Sequence, residues 1–416
     1  MAADFVEHRA GEAGGGAPGP AAPRIAARPL QVIVLADNPS SNIVRLRLQV
    51  PLQRWALEGS HRLRLLSFAE VSPSDLRHAD VVVMQRGATA TARRLAFMVV
   101  ASGKPLVYEI DDLITHLPGF LAHHRRLIEG RRNILQCLRY ATVVTTTTAR
   151  LAAHLDVPAE KVLICPNYAQ PACADVDEPS PPAHGPVTIV VAASDRVLVD
   201  MLIEPFKEVA RLFGERLKFL FIGPIGGTFH QAGLPGEYLD VVAQQAFAEV
   251  LRARPEPIGV IPLDDSLFSS CKSAVKYFDY TAAGLPVACS NVPPYSDVIT
   301  HGVDGLLVPN TPEDWTRALR ELITRPDLRR QLRQQARAAV SARHGLDAAV
   351  AAWRCVMDRV TPAAGAPTHH PPASLAGRLR FTAYAALQRL HNWNRRRKEH
   401  RRARRSGTPP GPPPRP

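Results

Sequence analysis

Long apolar runs are missing from this 416-residue chain. None reaches the ~18 residues that a membrane-spanning helix needs, so no span is expected. Cysteine is sparse: six are scattered at positions 137, 165, 173, 271, 289 and 355, with no Cys-X-X-Cys. Such spacing excludes a disulfide framework and fits a reducing cytosol. The histidines show no metal-ligand spacing, and the adjacent pair His123-His124 on an expected helix reads as structural or solvated. Residues 1–30 lack the basic start and apolar core of a secretory signal; their Ala, Gly and Pro read as a disordered leader. A basic core is missing too. The net charge is +13, but residues 375–405 hold eleven Lys and Arg against Glu399, a net +10, leaving +3 elsewhere. This argues against a nucleic-acid-binding core and for a tail with its own electrostatic task.

What is present is globular. Hydrophobic residues make up 46% and aromatics 6%, and the length exceeds one hydrophobic core. Short apolar runs predict strands at 31–36, 63–67, 80–84, 105–110, 141–145 and 162–165. Helices are expected between them at 43–57, kinked by Pro51, and at 91–102 and 148–155. Apolar strands separated by helices imply a parallel sheet covered on both faces. Residues 169–186 then carry five prolines and three acids, the best linker candidate. A second series follows, with strands at 187–193, 217–222, 257–262, 286–289 and 305–308 and helices at 197–213, 312–324, 327–344 and 346–360. Thr311 is placed to cap a helix that has Pro312 in its first turn. The expected division is a leader (1–29), a first Rossmann-like domain (30–170), a linker (171–186), a second Rossmann-like domain (187–360) and a Pro-rich, basic tail (361–416). Two doubly wound α/β domains would face each other across a cleft, with ligands at the carboxyl ends of the strands.

The densest chemistry lies at 271–280, Cys-Lys-Ser-Ala-Val-Lys-Tyr-Phe-Asp-Tyr, followed by a Gly284-Leu285-Pro286 stop. Lys272, Ser273 and Lys276 at a helix start suit a phosphate; the Asp279 carboxylate suits sugar hydroxyls. A bound nucleotide is the first hypothesis. The competing reading is a solvated helix face with a buried Asp cap.

The run 258–265 (Ile-Gly-Val-Ile-Pro-Leu-Asp-Asp), with Phe268, Cys271-Lys272-Ser273, Lys276 and Asp279-Tyr280, resembles GT-B-fold glycosyltransferases of the group 1, GT4-like type, in a bacterial branch. So do Ala283-Gly284-Leu285-Pro286-Val287, Pro294-Tyr295, the run 302–308 and Trp315, Leu319, Leu322 and Asp327-Leu328-Arg329. The resemblance covers 190–355 well and 31–168 more thinly, through Gln85-Arg86, 108–113, Leu117-Pro118 and Pro166-Asn167. It implies a nucleoside-diphosphate-sugar donor, retention of anomeric configuration and no obligatory metal or other cofactor. By resemblance, Asp279 binds the donor ribose, one methylene shorter than the usual Glu. An earlier Glu that contacts the sugar in the family is Cys271 here. Lys272, Ser273 and Lys276 are assigned to the donor diphosphate. Ser194 and Arg196, after the first strand of the second domain, are further phosphate candidates. The loop Asn38-Pro39-Ser40-Ser41-Asn42 lacks the glycines common in the family.

Three positions stay open. Gly223 either lets backbone approach the donor or only ends a strand. Asp111 and Asp112, with Glu109, close a strand and could serve an acceptor or act as general base; Asp112 as a cap, or Glu109 and Asp111 as a metal pair, are the alternatives. Arg45 and Arg86 could meet an anionic acceptor or form surface ion pairs. In the tail, Leu375, Leu379, Tyr384, Leu387, Leu390 and Trp393 recur at helical spacing among arginines. That suits an anionic membrane surface, with nucleic acid, an acidic partner or a merely solvated tail as rivals. The resulting expectation is a cytoplasmic glycosyltransferase at the inner membrane face, acting on a glycan or lipid-linked acceptor. The alternative is a non-catalytic GT-B-like module that binds a glycan or partner; a nucleotide-sugar epimerase is a third class.

Overall fold

The computed structural model describes residues 29–121, 124–170, 185–193 and 198–361. The leader and the basic segment 375–405 lie outside these, as does most of the 171–186 linker. The first series gives strands β1 (Gln31–Ala36), β2 (Arg62–Ser67), β3 (Val81–Gln85), β4 (Leu106–Glu109), β5 (Val143–Thr146) and β6 (Val162–Ile164). They form one parallel sheet in the order β2-β1-β3-β4-β5-β6. Its helices are α1 (Asn42–Val44), α2 (Val50–Glu58), α3 (Pro73–His78), α4 (Ala90–Ala101), α5 (Arg125–Tyr140) and α6 (Ala149–Ala153).

The second series gives β7 (Val187–Ala192), β8 (Leu217–Ile222), β9 (Glu237–Leu239), β10 (Pro257–Ile261), β11 (Val287–Ser290) and β12 (Leu306–Val308). These are parallel in the order β12-β11-β10-β7-β8-β9. The helices are α7 (Val199–Phe213), α8 (Gly226–Gln231), α9 (Gln244–Arg252), α10 (Leu267–Ser270), α11 (Val275–Ala282), α12 (Pro312–Thr324), α13 (Pro326–Arg343) and α14 (Leu346–Val360). Strand order reverses between β1 and β3 and between β7 and β10, and such switch points are where doubly wound sheets bind ligands. Each sheet carries an apolar layer on both faces, as its uninterrupted Val, Ile and Leu strands demand. Thr311 caps α12 by accepting from the Asp314 amide, as its position before Pro312 suggests.

Two departures from the expected elements matter. The single helix expected at 43–57 is split: a π-helical turn, Arg45–Gln49, separates α1 from α2, and Pro51 sits in the first turn of α2 rather than kinking a continuous helix. Pro51 has no N–H for the Arg47 carbonyl, and that carbonyl accepts instead from the Trp353 indole at 3.0 Å. The other concerns α14. It leaves the second series and packs on the first sheet, where Val350, Trp353, Val356, Met357 and Val360 join the same buried layer as Val32, Val34, Leu48 and Leu52. Trp353 is 1% exposed. Trp353→Ala is therefore expected to cost about 3–5 kcal/mol in denaturant unfolding. A loss under 1 kcal/mol would mean that α14 is not part of that core.

Candidate functional site

The first domain's contribution starts at the ends of β3, β4, β5 and β6. Glu109 ends β4, stands in register with Gln85 and Thr145, and is completely buried. Its counter-charge is Arg47, placed inward by the π turn and 3% exposed. Arg47 Nε donates to Glu109 Oε1 at 2.8 Å, and Nη1 donates to the Cys165 carbonyl at 2.6 Å and to Asn167 Oδ1 at 3.1 Å. Burial pushes the Glu109 carboxyl up to about 7, against the opposing pull of Arg47.

Asp111 and Asp112 lie just beyond β4. Both are held by Arg86: Nε donates to Asp111, and Nη2 donates to Asp112 Oδ2 at 2.8 Å. Arg86 takes a left-handed φ of 45°, uncommon for an L-residue, while its amide donates to the Glu109 carbonyl at 3.1 Å. Asp112 is about a quarter exposed (26%). Burial alone would raise its pKa, but the positive charges of Lys272 and Arg86 hold it below the ordinary value. Asp112 is thus an ionised acceptor and a weak base. Glu109 and Asp111 are both engaged by arginine. Among the described residues no group of three His, Cys, Asp or Glu could hold a metal ion.

On the second domain, α11 is fixed against the switch point. Gly259 on β10 leaves room for the Tyr280 ring; a Cβ there would stand 2.3 Å from it. The Tyr280 hydroxyl accepts from the Ala192 amide at 2.9 Å, at the end of β7. Lys276, one turn earlier, donates to the Ala192 carbonyl. Its ammonium therefore stands where β7 and β10 diverge. Ala274 at the N-cap supplies no side-chain oxygen to the first-turn amides, and the positive end of a helix favours an anion. Asp279 is three residues beyond Lys276 and shares its face of the helix. Gly284 ends the helix with φ 82°.

Lys272 and Ser273 precede α11 rather than starting it, and they lie on a seam between the domains. Phe268 and Cys271 are buried in the apolar core of the first domain. The Thr148 hydroxyl, which also caps α6, donates to the Cys271 carbonyl at 3.2 Å. Asn167 Nδ2 donates to Ser273 Oγ. The Lys272 ammonium lies 4.6 Å from the centre of the Phe268 ring. Arg150 and Asp297 pair across the same seam at 3.3 Å. Cys271, which by resemblance stands where a sugar-contacting Glu was expected, is enclosed here, with its sulfur 3.9 Å from His154 Nδ1. A carboxylate would be poorly placed in that apolar setting.

Lys272, Ser273, Asp112 and Asn167 are thus brought together, with Lys276 and Asp279 on the adjoining helix. Gly223 has φ 92°, and a Cβ would come within 2.7 Å of the Ala193 carbonyl, so local backbone alone demands glycine there. Ser194 and Arg196 lie outside the described residues. Arg86 is an internal ion-pair partner, not an open acceptor site. Arg47, Thr148 and the role of Asn167 are not evident from motif reading, because each acts through strand ends distant in sequence.

Two doubly wound domains meeting at the carboxyl ends of their strands form the GT-B arrangement. Within it, residues 275–339 match the family described as "Glycosyl transferases group 1". The match begins just after Lys272 and Ser273 and includes Lys276 and Asp279. Comparison with curated proteins gave no match. Among solved structures, HepE of Anabaena in complex with UDP and glucose is similar at TM-score 0.56 and 13% identity, over 79% of this chain and 99% of that one. Sucrose-phosphate synthase from Thermosynechococcus elongatus is similar at 0.56 and 13%, over 80% and 99%. A TarM mutant of S. aureus in complex with Fondaparinux, alpha-GlcNAc-glycerol and UDP is similar at 0.50 and 14%, over 67% of this chain and 55% of that one. The chain thus spans about half of the TarM chain, and likeness at these identities establishes the fold.

Arg47→Met would leave the Glu109 carboxylate buried without its partner, a loss of about 3–5 kcal/mol in urea unfolding. Adding Glu109→Gln should recover much of it. No recovery in the double variant would show that the pair is not the dominant polar contact at this position.

Proposed function

We propose that the protein is a glycosyltransferase that moves a sugar from a nucleoside-diphosphate sugar to a glycan or lipid-linked acceptor, with retention and without an obligatory metal. One observation carries this reading. Lys276 stands at the switch point of the second sheet with Asp279 three residues on along α11, and in the segment just before that helix Lys272 lies near Asp112 of the first domain and Ser273 meets Asn167. Two ammonium groups, a hydroxyl and a helix N-terminus suit a diphosphate, and they gain strength as the leaving group takes up charge. Asp279 suits the ribose hydroxyls. Asp112, kept ionised, suits a hydrogen bond from the acceptor hydroxyl better than proton abstraction. The group 1 match over 275–339 and the UDP named in the HepE and TarM complexes support the same donor class.

The basic segment 375–405 would bring the enzyme to an anionic membrane surface on the cytoplasmic side, at about 1 kcal/mol per basic residue near it. No helix among the described residues is long and apolar enough to cross a membrane. Enclosure of Cys271 favours one rival, a binding module of the same fold that has lost a sugar contact.

Calorimetry with UDP, GDP and ADP tests the donor site. Lys276→Ala and Asp279→Ala should each weaken the bound nucleotide about tenfold or more while leaving the melting temperature near that of the wild type. Wild-type affinity in both variants would overturn the site assignment. A folded wild-type protein that binds none of the three nucleotides would contradict the transferase reading for these donors.

A further inference from the structure

We infer that Asn167, from the first domain, is a positioning residue for the donor side: held by Arg47, it turns the Ser273 hydroxyl into a hydrogen-bond donor aimed at the diphosphate. This rests on the reading that Ser273 meets the donor phosphates.

The inference follows from the direction of the hydrogen bonds. Arg47 can only donate. It is 3% exposed and fixed by Glu109 at 2.8 Å and by the Cys165 carbonyl at 2.6 Å. The Asn167 atom that faces it at 3.1 Å must therefore be the carbonyl oxygen, Oδ1. Reversing the amide would set two donors against each other. With Oδ1 assigned, Nδ2 faces Ser273 Oγ and can only donate to it. The Ser273 oxygen is then an acceptor in this contact, and its hydrogen is directed elsewhere. A hydroxyl that accepts one bond becomes a stronger donor in the next. A diphosphate oxygen, which can only accept, completes a one-way chain from Arg47 through Asn167 and Ser273 to the ligand. Both Asn167 and Ser273 are partly exposed, so neither is a core residue whose loss must unfold the chain. The domain opposite the donor thereby fixes the polarity of a donor-side group, and donor binding depends on the seam being closed.

A double-mutant cycle in the full chain tests this. UDP, GDP and ADP, and the corresponding nucleosides, are titrated into wild type, Asn167→Ala, Asn167→Asp, Ser273→Ala and the Asn167→Ala/Ser273→Ala pair. Each alanine variant should weaken the bound diphosphate about tenfold, the value of one good hydrogen bond to a charged group. The pair should be no weaker than Ser273→Ala alone, because Asn167 acts only through Ser273. Asn167→Asp should weaken it further than Asn167→Ala, since a carboxylate would take the serine hydrogen and repel the phosphate. Nucleoside affinity should not change. Losses that add in the pair, or an unchanged affinity in Asn167→Ala, overturn the inference while leaving the donor site standing. Failure of the wild type to bind any of the three diphosphates removes the donor reading and this inference with it.

Discussion

The side chains of Phe268 and Cys271 are buried in the core of the domain to which their own strand series does not belong. The rest of the site depends on that burial. Burying one Phe contributes about 1.5–3 kcal/mol, whereas each neutral hydrogen bond across the seam contributes about 1. The apolar contact therefore holds segment 267–273 against the first domain, and the polar contacts set its register. Thr148 fixes the backbone at Cys271, and Asn167 fixes the side chain at Ser273. Lys272, between them, is brought to Asp112. Docking by α14 on the opposite face gives the first domain a second piece of chain from beyond the second sheet.

Two arginines divide the acidic strand end into a structural half and an exposed half. Arg47 and Glu109 are both below 4% exposure, where desolvation is severe and the pair persists only through further bonds to Cys165 and Asn167. Arg86 instead holds Asp111 and Asp112 at the rim, where Asp112 keeps contact with solvent and with the field of Lys272. The buried pair thus supports the scaffold, and the rim pair presents charge to the cleft. This explains why three acids within four residues have different tasks.

Much of the fold was legible because parallel strands buried on both faces read as apolar runs, and eleven of the twelve strands lie near where such runs occur. Expected and observed bounds differ by a residue or two, as at β4 and β5, because strand ends depend on neighbours rather than on local apolarity. Short elements left no clear signal: β9 has three residues and α10 four. Helix α5 has an Arg-rich surface that conceals its buried stripe of Gly130, Ile134, Cys137 and Leu138. The residues proposed to meet the donor could be picked out as a motif because they are contiguous in sequence. Arg47 was not, since its inward orientation follows from a π turn that accommodates Pro51 and from a tryptophan about 300 positions later. Asn167 stood in a recognisable Pro166-Asn167 pair, but its task becomes visible only when Ser273 is brought beside it.

The account's central claim is that the seam carries a donor site at which a sugar leaves a nucleoside diphosphate. The most direct measurement is a screen of nucleoside-diphosphate sugars with the purified full chain, read by release of the nucleoside diphosphate with and without glycan or lipid-linked acceptors. The account predicts release from one donor that an acceptor accelerates and that Lys276→Ala suppresses. Stable donors across the whole panel, from a protein that still binds glycans, would contradict it.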